Sequence, residues 1–241
     1  MRYAVLSDVH GNLEALDAAL DAADRLGAEA LLCLGDLVGY GANPNEVIET
    51  VAARGPVAVR GNHDEAALEP GKEEYFNQWG QAAIRWTRQR LTGDSRRFLA
   101  ALPLSAVVSD TRLVHACASD PGMWHYVVDA EDAAVEFASF REPLCLFGHS
   151  HFPLFAERSG RTTTILEADA VELDGHRRYM VNVGSVGQPR DGDPRASFGL
   201  LDTERRTVAV HRVEYDAAGA RDRIIAAGLP AFLGDRLLRG Q

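Results

Sequence analysis

Five short apolar runs in this chain each stop at residues able to hold a metal ion. Tyr3–Leu6 leads into Asp8-Val9-His10, Leu31–Leu34 into Gly35-Asp36, and Val57–Arg60 into Gly61-Asn62-His63-Asp64. Arg112–Val114 stops at His115, and Leu144–Phe147 at Gly148-His149-Ser150-His151. Imidazoles with a few carboxylates and an amide suit Mn²⁺, Fe, Zn²⁺, Ni²⁺ or Co²⁺ better than Ca²⁺. Read as extended backbone, Asp8 and His10 share a face, whereas the neighbours Asn62 and His63 point to opposite sides. A single end of this kind occurs in ordinary turns. Five of them, nearly all bounded by glycine, exceed what core packing produces.

The elements that must position these ends are legible in outline. After Asn12, which can cap, Leu13, Leu16, Leu20 and Ala23 recur at helical spacing until Gly27. The second buried strand therefore follows a crossover helix, as in a parallel sheet. Asn43-Pro44 opens another helix over residues 45–54, with Asn43 as its cap. Residues 73–101 are helical in character, and Phe76, Trp79, Ala83 and Trp86 form a stripe expected in the core. A hairpin turning at Ser109-Asp110 follows, then a helix over 131–140. From residue 152 short strands alternate with turns up to Val213, and a helix over 217–227 and a short apolar tail end the sequence. This order reads as a mixed sheet from the first half packed on an antiparallel sheet from the second, with helices outside.

The 241 residues, without a linker or low-complexity tract, read as one domain, 1–241. No signal-peptide layout opens the sequence and no apolar run reaches membrane-spanning length, so the expectation is a cytoplasmic protein with no membrane partner. A net charge of −10 argues against stable nucleic-acid binding. Cys33 and Cys145 lie inside apolar strands and Cys117 follows His115 closely; all three read as packed free thiols.

In order and type, Asp8-Val9-His10, Gly35-Asp36, Gly61-Asn62-His63-Asp64, His115 and Gly148-His149-Ser150-His151 resemble the motif set of the calcineurin-like metallophosphoesterases. Asn182-Val183-Gly184-Ser185-Val186-Gly187-Gln188-Pro189-Arg190 is similar to the closing motif of the small bacterial and archaeal phosphodiesterase-like branch. The resemblance implies a four-layer αββα sandwich of two mixed sheets flanked by helices. It also implies two metal ions bridged by Asp36, with Asp8, His10 and His151 completing one position and Asn62, His115 and His149 the other. His63 would stand off the metals beside the leaving group. Protein serine/threonine phosphatases of this superfamily carry an arginine shortly after the Gly-Asp motif. This chain has Leu37-Val38-Gly39-Tyr40 there, so the resemblance does not extend to that activity.

The chemistry so implied is phosphoester hydrolysis, of a diester in preference to a monoester, by in-line attack of a hydroxide shared by two ions, Mn²⁺ foremost. Two divalent ions and two carboxylates leave a site charge of about +2, attractive to a small phosphate ester or nucleotide. His63 is the candidate general acid, and Asp64 is placed to hydrogen-bond it and favour the imidazolium. Arg190 is a candidate phosphate contact, alternatively an anchor paired with Asp191 or Asp193, and Tyr40 is a candidate at the pocket mouth. Trp124 and Tyr126 are open to three readings: base stacking, a flap, or a contact in a homo-oligomer. Two other functions remain: dinucleoside polyphosphate or nucleotide pyrophosphate hydrolysis, and a catalytically silent metal-binding scaffold.

Overall fold

The computed structural model describes residues 1–241 and holds two six-stranded sheets face to face. β1 (Arg2–Leu6), α1 (Leu13–Arg25), β2 (Ala30–Cys33), α2 (Pro44–Ala53) and β3 (Val57–Ala58) form the expected crossover units, with β1, β2 and β3 parallel. Asn12 caps α1 through its side chain, which accepts from the Ala15 amide. Asn43 occupies the corresponding position of α2 without a side-chain capping bond.

α3 (Asn62–Leu68), α4 (Gln78–Arg90) and α5 (Gly93–Ala101) follow. The helical region expected over 73–101 is thus broken after Arg90, where Thr92 caps a new helix. Next come β4 (Ser105–Val108), β5 (Thr111–Val114), α6 (Ala130–Glu136), β6 (Leu144–Phe147), β7 (Pro153–Ser159) and β8 (Thr162–Leu166). β9 (Ala170–Glu172), β10 (Arg178–Val183), β11 (Ala196–Asp202), β12 (Thr207–Val213), α7 (Ala217–Ala226) and α8 (Ala231–Asp235) complete the chain.

The expected division of the sheets between the two halves of the chain is not what forms. The first sheet has the order β3-β2-β1-β11-β12-β9 and the second β4-β5-β6-β10-β7-β8, so each recruits strands from both halves and both are mixed. β1 is flanked by parallel β2 and antiparallel β11, with Ala4 opposite both Leu31 and Leu200. β6 likewise lies between β5 and β10, parallel to each. A strand that is apolar on both faces is stable only with both faces covered. β1 meets this by alternation. Val5 joins Leu32, Leu146, Phe155 and Val181 between the sheets, while Ala4 and Leu6 face Leu16, Leu20 and Val47 of the outer helices. On the other side α6 covers Cys145, Phe147 and Met180 through Ala133 and the adjoining Phe137. The result is the four-layer αββα sandwich. No helix is long and apolar enough to cross a membrane.

Candidate metal centre

All the expected donors converge at one end of the sandwich, where the loops following β1, β2, β5 and β6 meet the start of α3. Asp8, His10, Asp36, His115, His149 and His151 are buried. Donor atoms of Asp8, His10 and His151 lie within 4.8 Å of one another, as do those of Asp36, His115 and His149. Asn62 joins the second group, its Oδ1 3.1 Å from His115 Nε2. A ring nitrogen of His63 also falls within 4.8 Å of donor atoms of His10 and Asp36.

The backbone that aims these groups is not the extended chain read from the sequence. Nine non-glycine residues have positive φ, and seven are at this site: Asp8, His10, Asp36, Tyr40, Trp124, His149 and His151. Such conformations cost about 1–3 kcal/mol each and persist where the surroundings over-determine them. Asn62 and His63 likewise begin a helix instead of ending a strand. Their divergence therefore comes from helical rotation, not from pleating.

The donors are oriented from behind. Nδ1 of His10, His115 and His151 faces the carbonyls of Val38, Leu34 and Gln188 at 3.0, 2.8 and 2.7 Å. Each Nδ1 thus carries the proton, and each Nε2 presents a lone pair to the centre. Nε2 of His10 and His151 are 3.1 Å apart. Two lone pairs facing at that distance repel unless a proton or a metal cation lies between them. Asp8 Oδ1 and Asp36 Oδ2 are buried and have no hydrogen-bond partner. His151 Nε2 is 3.3 Å from that Asp8 oxygen, and His115 Nε2 is 3.4 Å from that Asp36 oxygen. Orphaned buried carboxylate oxygens facing convergent imidazoles fit divalent cations, and Asp36 Oδ2 lies between the groups, 3.7 Å from His10 Nε2 and 3.4 Å from His115 Nε2.

The pKa shifts have the same origin. Burial pushes the Asp8 carboxyl up, but the His151, His10 and His115 imidazoles more than reverse this and hold it below the usual range. Burial disfavours a charged His115, yet Asp36 and Asp8 raise it to about 9. Burial and the nearby His115 lower His149 to about 4. The pocket without metal therefore binds a proton at His115, on the atom an ion would use. Metal uptake near pH 8 should expel that proton, and affinity should weaken up to ~10-fold per unit as pH falls below about 9. Calorimetry in two buffers of different ionisation enthalpy measures the release; uptake independent of buffer would refute it.

Asp64 does something other than what its place beside His63 suggested. Its Oδ2 accepts from the amides of Asp36 (2.9 Å) and Gly61 (3.1 Å), and its Oδ1 from that of Val38 (3.2 Å). It ties two donor loops together and does not pair with His63, whose Nδ1 is buried without a partner. Burial and the Asp36 charge push Asp64 up to about 7. His63 is held well below the usual imidazole range by burial first, with His10 and Arg190 adding to it. The imidazolium expected from an Asp64 contact is therefore not favoured.

Further positioning comes from the Asn182–Arg190 segment, the closing motif in which the sequence suggests a role for Arg190 alone. Asn182 Nδ2 donates to the Gly148 carbonyl (2.6 Å) and Ser150 Oγ (2.9 Å), fixing the His149–His151 loop. Ser185 Oγ donates to the Asp8 carbonyl (2.8 Å). A Cβ on Gly187 would meet the Val9 carbonyl oxygen at 1.8 Å. Gly61 is as constrained, since a Cβ there would lie 2.1 Å from Asp36 Oδ1 and 2.5 Å from the Asp36 amide nitrogen. Gly61→Ala should cost about 1–3 kcal/mol, lowering Tm by roughly 3–10 °C, and should reduce metal content by displacing Asp36. Thermal melts with metal analysis test it; full retention of metal would contradict this packing.

A cavity of about 570 Å³ opens from the donors. His63, Tyr40, Arg190 and Arg236 line it together with Tyr75, Phe76, Met123, Trp124 and Tyr126. Tyr126 stacks on His149 at 4.2 Å between centroids. Phe76 was expected in the core but meets His63 edge-on at 4.5 Å. Cys117 is buried and bonds the Asp120 carbonyl at 3.1 Å; it belongs to none of the donor clusters. Arg236 carries no motif in the sequence, where it stands between Asp235 and Arg239 near the end of the chain.

Comparison with known proteins agrees with this geometry. An uncharacterized protein of Methanocaldococcus jannaschii is 37% identical over 243 residues, covering 99% of this chain and 98% of its own length. The crystal structure of a metallophosphoesterase from Sphaerobacter thermophilus superposes with a TM-score of 0.89 at 37% identity, covering 100% of this chain and 99% of that one. A hypothetical protein from Pyrococcus horikoshii shares the fold, with a TM-score of 0.79 at 24% identity over 100% of this chain and 98% of that one. Residues 1–206 match the calcineurin-like phosphoesterase superfamily domain. The chain belongs to the calcineurin-like phosphoesterase superfamily.

Proposed function

We propose that the protein is a two-metal phosphodiesterase acting on a small organic phosphate ester, with Mn²⁺ as the working ion. Asp8, His10, His151 and Asp36 would hold one ion, and Asp36, Asn62, His115 and His149 the other. Once bound, the ions would lower the pKa of a water nucleophile and neutralise charge on the phosphoryl oxygens. The observation that carries the diester reading is the cavity. Its volume far exceeds what a lone phosphate needs, and aromatic side chains line the space beyond the donors. One esterified group can lie against Trp124 and Tyr126 while the leaving group faces His63. An incoming phosphate brings negative charge beside His63, which raises its proton affinity and equips it to donate to the leaving oxygen. Arg190 and Tyr40 stand on the same wall as His63 and are the substrate contacts in this reading.

Protein reconstituted with Mn²⁺ should hydrolyse bis(nitrophenyl) phosphate with a higher kcat/KM than nitrophenyl phosphate in a panel that includes cyclic nucleotides and dinucleoside polyphosphates. A preference for polyphosphates would select pyrophosphate hydrolysis. No turnover of any ester with both ions bound would leave the scaffold function.

A further inference from the structure

The cavity lining carries two guanidinium groups, from Arg190 and Arg236, that no Asp or Glu side chain neutralises. Arg190 does not pair with its acidic neighbours: Asp191 is held by Arg212, and Asp193 by Arg195 at 2.6 Å. Its Nη2 and Nε donate instead to Gln188 Oε1 at 2.9 and 3.3 Å, and its guanidinium lies 5.7 Å from the Tyr40 ring centre. Gln188 also accepts from His151, so Arg190 is fixed to the frame of the metal centre. Arg236 follows α8, which the core holds in place. Leu233 and Leu237 pack with Ile224 of α7, Ala83 of α4 and Tyr40 itself. Asp235, its neighbour, is taken by Arg221 at 2.6 Å. Nε of Arg236 donates to the Gln241 backbone oxygen, and no hydrogen bond engages its Nη groups.

Lys72 supplies the contrast. It lines the same cavity but is matched with Glu65 at 3.2 Å. Arg236 has no Asp or Glu partner, and its side chain's only hydrogen bond runs from Nε to the backbone oxygen of Gln241. Burial first, and then the charge of Arg190, lower it to about 10, as expected of two cations held close in a partly dry place. The balance of charge decides what fits. Two divalent ions with Asp8 and Asp36 would leave about +2, and Arg190, without a carboxylate partner, adds to it, whereas a simple diester brings a single negative charge.

We propose that Arg190 and Arg236 form a subsite for a second phosphate group of the substrate, beyond the phosphate cleaved at the metal centre. The assignment rests on the metallophosphoesterase reading given above. Planar guanidinium forks match phosphate oxygens two at a time, which a lysine at this position would not do. The second phosphate is either joined to the first as an anhydride or carried elsewhere on the same molecule.

Calorimetric titration of Mn²⁺-reconstituted protein with AMP, α,β-methylene-ADP and adenosine 3′,5′-bisphosphate distinguishes these sources. At least one of the two doubly phosphorylated probes should bind roughly 10-fold or more tightly than AMP, the gain expected of charged hydrogen bonds. Arg236→Met should remove that advantage and Arg236→Lys should restore part of it, with Arg236→Gln as a second removal should the Met variant not fold. Equal affinity for all three probes, or weakening of AMP and the others by one factor, would overturn the subsite. Hydrolysis of bis(nitrophenyl) phosphate by the same preparations separates the two readings. Turnover without a second-phosphate preference removes the subsite alone, and an Arg236-dependent preference without turnover removes the esterase reading alone.

Discussion

Asp36→Asn should empty both metal positions together and lower turnover by roughly 10³-fold or more, the loss expected when several kcal/mol of charge stabilisation disappears. Asp36 shares one cluster with His10 and another with His115, its Oδ2 lying 3.7 and 3.4 Å from their Nε2 atoms. Its Oδ2 is buried without a hydrogen-bond partner, while Oδ1 accepts from the His63 amide at 2.8 Å. Asparagine preserves the size and can keep the Oδ1 bond, so the loop retains its shape. What it removes is the negative charge at the point where two cations are to sit side by side. Metal analysis after reconstitution with excess Mn²⁺ should give about two ions per chain for the unaltered protein and near none for the variant. Loss of a single ion would show that the two positions do not share this residue.

His63→Ala should leave the metal content intact and slow the reaction about 10²–10⁴-fold for esters with alkoxide leaving groups, the range of general acid catalysis. Nitrophenyl esters should suffer much less, because nitrophenolate leaves without a proton. The side chain is held by packing. Tyr40, Phe76 and His10 surround it with centroids 4.4, 4.5 and 4.7 Å away, and a Cβ on Gly39 would meet its Nδ1 at 2.4 Å. Burial keeps the free imidazole neutral, so the proton must arrive with the negatively charged ester. A fall in metal content in the variant would make His63 a ligand, consistent with its ring nitrogen lying near a His10 nitrogen and an Asp36 carboxylate oxygen. Equal slowing of alkyl and nitrophenyl esters would instead make it an anchor for phosphate.

The donor set was legible because each donor terminates an apolar run, and strand ends are visible in composition alone. Three things were not. Strand partners are invisible locally: Val5 pairs with Leu32 and also with Gly199, and nothing near Val5 announces the second. The conformation at the donors was hidden as well, because Asp and His tolerate positive φ without a sequence mark such as glycine. Gly61–Asp64 reads as extended for a different reason: nothing in Gly-Asn-His-Asp marks the helix that Asn62 opens, or the three backbone amides that the Asp64 oxygens reach. Finally, Arg236 enters the cavity only because α8 docks beside Tyr40, a tertiary event without a local signal.

The dependence of β1 on β11 bears on when the protein can acquire its metal during synthesis. All seven donors lie between residues 8 and 151, so each is synthesised while the last third of the chain is unmade. At that stage β1 has no β11 beside it, β6 has no β10, and Gln188 is not there to orient His151. The nascent chain carries every ligand and no site. Any choice between metal ions would therefore fall to the finished protein.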